Sequence, residues 1–228
     1  VNNLQKAGGL AALYVAVSYL AAMPYFLFVV DLGGITDPLQ KVLALIAHRS
    51  GLYAMELVVY VFFGLFLTVL AAALHERLKD GAQAIMKVAT PLGFIWAGLL
   101  IASGMIYNVG MDPVITLHGK DPTAAAALWT AVDLVSSGLS GNGEVLGGSW
   151  MLLLSVAALK SKALPRALSV VGLVASAVGI AAVIPALKDL AMLFGLGQIL
   201  WALWLGVVLL RGRLPGARGS AVAPVGQA

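Results

Sequence analysis

Residues 10–30 read LAALYVAVSYLAAMPYFLFVV, with no charged side chain anywhere in the run. At 1.5 Å per residue a helix of this length reaches roughly 32 Å, enough to cross a hydrocarbon core of about 30 Å. Lys6 stands just before it, so a secretory signal is the competing reading. The apolar part of a signal usually covers only about 7–15 residues, and the run is therefore read as an uncleaved first span. Pro24 is expected to kink it, because proline removes one helical hydrogen bond and crowds the preceding turn.

Runs of the same kind recur along the chain. Of 228 residues, 61% are apolar and 11% are charged, against about 25% charged in an ordinary soluble domain. Mean hydropathy is +0.98. These values exclude a soluble globular domain, a disordered chain and a coiled coil, and they identify an all-α, polytopic membrane protein. The chain has no cysteine, which rules out disulfides, thiolate metal sites, iron–sulfur clusters and cysteine nucleophiles. The net charge of +4 does not call for a nucleic-acid partner, because the basic residues sit where membrane topology places them.

Working outward, the second span is expected over residues 51–74, stopping at the charged stretch 75–80. The third is expected over 88–109 with Pro91 in its first turn, where proline is tolerated. The fourth ends at Lys160, the fifth covers 167–187 and the sixth 190–210. Alternate connections differ in basic content: ten of the 14 Lys and Arg residues fall on one side. The positive-inside rule then gives six transmembrane helices with both termini cytoplasmic. Residues 1–214 read as one transmembrane domain, and the Gly-, Pro- and Ala-rich residues 215–228 as a disordered cytoplasmic tail. Residues 123–138 are apolar but short, carry Asp133 and follow Pro122. They are expected to form an extracytoplasmic interfacial helix lying on or dipping into the membrane surface, with Trp129 at the interface. The predominance of Ala, Gly, Leu and Val over Lys and Ile is compatible with a bacterium of high-GC genome, and the expected location is a bacterial inner (cytoplasmic) membrane.

Polar groups concentrate toward the extracytoplasmic end. Glu56 precedes His75 by nineteen positions and so must lie inside the outer part of the second span. The uncharged stretch 145–159 gives only roughly 22 Å of helix, which draws Glu144 toward the outer apolar boundary. Two carboxylates on different helices thus fall at similar depth. An acidic group deep in a span costs about 2.5–3.5 kcal/mol, so partners or a wet pocket are expected. Arg49, Asn108 and Asp133 lie at the same level, together with Asp31, His48, Tyr107, Asp112 and His118. Two readings remain open. These residues line an outward-facing acidic pocket roofed by residues 33–50 and 110–142, or they are interfacial and neutralise one another, as Arg49 would neutralise Glu56.

A metal site is the sharper form of the pocket, with His48, His118 and Asp112 as nitrogen and oxygen ligands beside the carboxylates. No helical i, i+4 ligand pair exists, however, and His75 falls on the opposite side, so no metal is expected. No cofactor is identifiable. There is no G-x-S-x-G nucleophile elbow, and the Gly-rich residues 138–143 lack a following basic residue and read as a hinge. Gln198, near the middle of the sixth span, is expected to hydrogen-bond a neighbouring helix.

Glu144-x-x-Gly147-Gly148-x-Trp150 opens the fourth span, Leu164-Pro165-Arg166 forms the next turn, and Leu200-Trp201-x-Leu203-Trp204-x-Gly206 runs through the sixth. With the Gly-rich fifth span between them, these elements resemble the bacterial domain-of-unknown-function family 4386, small membrane proteins of about this length and span count. The resemblance is best over residues 140–214. It implies that Glu144 and Trp150 belong to a shared structural or binding feature, and it brings no activity. The residues therefore point first to a non-catalytic membrane module: a subunit of a larger complex, a homo-oligomer, or a binder of lipid or a small apolar molecule. A small transporter is the next reading, and an enzyme with an outward-facing metal or paired-carboxylate site comes last.

Overall fold

The computed structural model describes residues 3–140 and 145–211, and over these the chain is helical with no strand. Helix α1 (Asn3–Pro24) continues beyond its proline as a π-helical segment, Tyr25–Val29, closed by Val30 N–H donating to the Tyr25 carbonyl at 3.0 Å. The kink expected at Pro24 thus takes the form of a widened turn. Asp37 caps α2 (Pro38–Ala47) by accepting from Leu39 N–H at 3.0 Å, with Pro38 in the first helical position. A break at His48 separates α2 from α3 (Arg49–Glu56), which passes through a second π-helical segment, Leu57–Phe62, into α4 (Phe63–His118).

Helix α4 is a hairpin. Its only non-helical backbone is at Ala82 (φ −148°, ψ 42°), and there the chain reverses. The two arms meet across His75 Nδ1 and Thr90 Oγ1 at 2.7 Å, and a methyl group at Gly64 would come within 2.6 Å of the Ala97 carbonyl oxygen. Two expectations change here. The charged stretch 75–80 is helix up to a one-residue turn, because Glu, Arg, Leu and Lys are strong helix formers. Pro91 lies in the interior of the second arm and not in its first turn, since residues 83–87 extend the helix backward.

The second arm also runs past residue 109 to His118. Helix α5 (Pro122–Ser140) returns antiparallel along it. Ser103 and Ser136 exchange hydrogen bonds, with Oγ to Oγ at 2.9 Å, and Tyr107 meets Trp129 edge to face at 4.8 Å. Small residues at this seam let the backbones approach, so α5 lies along the hairpin rather than flat across its end. Helix α6 (Val145–Ser161) follows the same arm toward the Ala82 turn, and Trp150 meets Trp96 at 5.8 Å. Helix α7 (Arg166–Ala181) starts after a turn in which Lys162 adopts φ 55°. The expected fifth span is cut short: Ile184, preceding Pro185, is extended (ψ 122°), as a residue before proline prefers. Helix α8 (Leu190–Arg211) closes the bundle against α1 and α7.

The α1–α8 contact depends on glycine. A methyl group at Gly206 would lie 2.7 Å from Leu13 Cγ and 3.0 Å from the Gly9 carbonyl oxygen. Through the centre runs an aromatic series, Tyr19, Phe63, Trp96, Trp150 and Trp201, with successive ring centroids 5.3, 6.0, 5.8 and 6.3 Å apart. A second apolar core, with Val42, Leu45, Leu52, Met111, Val114 and Trp129, joins α2, α3, the end of α4 and α5. Large apolar side chains also cover the outside, among them Val88, Ile95, Met105, Val109, Leu193 and Leu200. Four helical stretches are long and apolar enough to cross a bilayer: Asn3–Val29, Arg49–His118, Pro122–Ser161 and Leu190–Arg211. This is an integral membrane protein. The expected tail at residues 215–228 lies outside the described residues.

Candidate functional site

Of the two carboxylates anticipated from the sequence, Glu56 is among the described residues. Glu56 ends α3 at the end of the bundle away from Ala82, is 4% exposed, and its Oε2 has no hydrogen-bond partner among the described residues. One turn earlier, the Tyr53 carbonyl accepts from Asn108 Nδ2 at 3.3 Å, while Asn108 Oδ1 is buried and unpartnered. Asp133 and Tyr107 lie close enough to interact electrostatically with Glu56. Glu144, its expected companion, lies outside the described residues.

The basic residues at this end are engaged elsewhere. Arg49 donates to Asp112 at 2.6 Å, in an exposed ion pair, and not to Glu56. Lys41 sits 3.5 Å from Asp133. His48 lies at the break between α2 and α3, and His118 ends α4 with a buried, unpartnered Nδ1. Among the described residues no three of His, Asp and Glu gather in a geometry for a metal ion, so His48, His118 and Asp112 form no cluster. Trp150 belongs to the aromatic series of the main core, with a buried and unpartnered Nε1, rather than to the Glu56 neighbourhood. Glu56, Asn108 and Asp133 thus fall at one end of the bundle without a direct hydrogen bond among them, Arg49 pairs with Asp112, and Trp150 lies in the main core.

The sequence reasoning missed a different feature. A crevice of about 330 Å³ opens on the side of the bundle between α1, the second π-helical segment and α8. Phe26 and Leu27 come from the first π-helical segment, Val59 and Tyr60 from the second, and Met192 and Ile199 from α8. Both π-helical segments of the described chain thus contribute to one wall system, and such segments occur frequently at functional sites. Behind it lies a smaller chamber of about 140 Å³, lined by Phe63, Trp96, Leu100 and Ser140, with Tyr19, Val59 and Tyr60 common to both spaces. At their junction the Tyr19 hydroxyl donates to Gln198 Oε1 at 3.2 Å, the interhelical hydrogen bond expected of Gln198. Gly195 lines the crevice, and a methyl group there would have no atom within 4 Å. The only advance signals were Gln198 and the Gly-rich run beginning at Gly138, since Tyr, Met, Phe and Leu in a span look like any other apolar residues.

The model of a domain of unknown function (DUF4386) matches residues 9–211, from the first helix to the last, and the chain belongs to this family. The match extends the motif-level likeness of residues 140–214 over nearly the whole bundle. No curated protein and no solved structure matches the chain.

Proposed function

We propose that the protein is a six-span module of a bacterial cytoplasmic membrane that holds the apolar tail of a lipid or lipid-like small molecule in the crevice between α1 and α8. The six crossings are α1, the arm made of α3 and residues 63–81, the arm 83–118, the pair α5–α6, α7, and α8, within a single domain. The orientation is supported by where basic residues gather. Gly8 packs on Ala73 and Leu209, and the Arg77 side chain donates to the Ala163 carbonyl at 3.1 Å. These contacts collect Lys6, Arg77, Lys79, Lys160, Lys162 and Arg211 at one end, which the positive-inside rule makes cytoplasmic. Both termini are then cytoplasmic, and the crevice lies in the outer half.

The observation that carries the binding reading is the crevice itself. It opens sideways, toward lipid, and no charged residue lines it among the described residues. An uncharged concave space facing the hydrocarbon suits an apolar chain, which gains contacts there without desolvating a polar group. The test is native mass spectrometry of protein released from its own membrane. The wild-type chain and Gly98→Leu, at a position where an added Cβ has no atom within 4 Å, are expected to carry a discrete lipid-sized adduct. Gly195→Leu, which fills the crevice, is expected to lose it. An adduct of equal occupancy in Gly195→Leu, or none in the wild type, refutes the reading.

A subunit role is the second reading. It is favoured by an apolar groove of about 480 Å³ on the α4–α5 hairpin, lined by residues such as Met105, Val109, Leu128 and Val132. The same spectra address it through a stoichiometric mass of a partner chain or of a second copy.

A further inference from the structure

The turn that joins α6 to α7 carries two cations where local helix physics disfavours them. Lys162, one residue beyond the end of α6, has φ 55°, a left-handed conformation in which a helix end ordinarily carries glycine. Arg166 is the first residue of α7, and no side chain caps that helix start, so its charge sits at the positive end of the helix dipole. Neither cation forms an ion pair among the described residues. Lys87 and Lys160 meet the topological demand for basic residues at this end from within regular helix. Topology therefore does not account for Lys162 and Arg166, and places where a sequence breaks local rules are where function is expected.

Both side chains line one groove, of about 650 Å³, together with Ala158, Leu159, Leu164 and Val170. Its size falls in the range of small-molecule sites. Ala158 lies four positions before Lys162 and Val170 four after Arg166, so each stands about one turn, roughly 6 Å, deeper in the bundle. The groove thus presents charge at the end of the helices and hydrocarbon below it, the same order as phosphate and acyl chain in a phospholipid. Arg77 fixes the turn, its Nε donating to the Ala163 carbonyl at 3.1 Å. The acidic side chains near the Ala82 reversal are Asp80 and Glu76, and Glu76 is held by Lys79 at 2.6 Å. The sequence outside the described residues supplies no nearby acidic side chain. Residues 212–228 contribute Arg213 and Arg218 and neither Asp nor Glu. Glu144 precedes Val145, which the 17 residues of α6 set roughly 24 Å from Ser161.

We propose that this groove binds an anionic phospholipid of the leaflet at the Ala82 end. Its phosphate lies between Lys162 and Arg166 at the start of α7, where helix N–H groups also favour an anion, and an acyl chain runs along Leu159, Leu164 and Val170. Basic pockets between membrane helices suit such heads. A zwitterionic head would bring its own ammonium group to two unpaired cations, so the preference is for net negative charge. The site goes beyond the crevice between α1 and α8, which has no charged residue in its wall among the described residues.

Native mass spectrometry of the full chain in detergent tests this, with phosphatidylglycerol or phosphatidylcholine of identical acyl chains added stepwise. The wild type is expected to bind phosphatidylglycerol at least five-fold more tightly. Lys162→Gly relieves the left-handed backbone and Arg166→Gln removes a cation from a helix start. Each is expected to keep or raise the thermal unfolding temperature while reducing the preference to less than two-fold. Lys87→Gln, which removes a charge from the same end, and Gly195→Leu, which fills the crevice, are expected to keep the wild-type preference. A wild type without the preference overturns the proposal, as does a preference that survives in Lys162→Gly/Arg166→Gln or is lost equally in Lys87→Gln or Gly195→Leu. Thermal stabilisation by glycerol 3-phosphate equal to that by phosphatidylglycerol overturns the lipid assignment and leaves a site for a soluble anion.

Discussion

Replacing Glu56 by methionine is expected to leave the bundle as stable as the wild type or more stable, by up to about 3 kcal/mol. Glu56 is 4% exposed, and its Oε2 is buried without a hydrogen-bond partner among the described residues. A carboxylate within a span costs about 2.5–3.5 kcal/mol at the bilayer centre. Glu56 ends α3 toward the edge of its span, so that figure is an upper bound. Methionine has nearly the same volume and three flexible bonds, so it refills the space with little strain. The competing loss is small, because no short ion pair is broken: Arg49 is held by Asp112, and Lys41 lies against Asp133. Removing a buried carboxyl group whose Oε2 has no hydrogen-bond partner among the described residues therefore outweighs the contacts given up.

The assay is reversible unfolding in mixed micelles at increasing denaturing detergent, followed by helix content, with Glu56→Gln alongside. Glutamine keeps the shape, carries no charge and adds two donors, and should fall between wild type and methionine. If Glu56→Met loses more than about 1 kcal/mol, the carboxylate has a favourable partner and the reasoning fails. If both variants are stable, the residue is retained for something other than folding, as intramembrane ionisable groups commonly are.

Two other substitutions probe the packing and the surface. Gly206→Ala should destabilise the protein by about 1–3 kcal/mol in the same unfolding assay, because the new methyl group meets the fixed Gly9 carbonyl oxygen at 3.0 Å as well as the Leu13 side chain at 2.7 Å. Arg49→Ala should cost no more than about 1 kcal/mol, since its 2.6 Å pair with Asp112 is more than half exposed on both sides. The difference should shrink when salt is raised.

The positions of the helices were legible wherever charge alone marks them. The uncharged run 10–30 falls on α1 and the π-helical segment that continues it, because its length depends only on helical rise, and Glu56, expected inside a helix, is buried in the bundle. Continuation of a helix beyond the membrane was not legible, because residues 110–118 carry Asp112 and Pro113 and resemble a loop. They stay helical because Met111 and Val114 pack on Trp129 and Leu45 in the second core. Pairing between helices was the least legible. Arg49 lies seven positions from Glu56 on the same chain, yet its partner is Asp112 on another arm, and rotation about the helix axis decides this. The ring partners of Trp150, Trp96 and Trp201, come from two other helices, and no local motif announces them.

The two π-helical segments explain why the crevice escaped a reading based on periodicity. An α-helix turns about 100° per residue, and a π-helical turn inserts the equivalent of one extra residue. Beyond Leu57–Phe62 every side chain is therefore rotated by about 100° from where a regular helix would carry it. Glu56 before the segment and Phe63 after it both face inward, at 4% and 2% exposure, while Val59 and Tyr60 within it reach the crevice. Pro24 marks the first segment in the sequence, but nothing in LVVYVF marks the second. The buried carboxylate at Glu56 and the crevice wall at Val59 and Tyr60 thus lie on adjacent turns of a single arm.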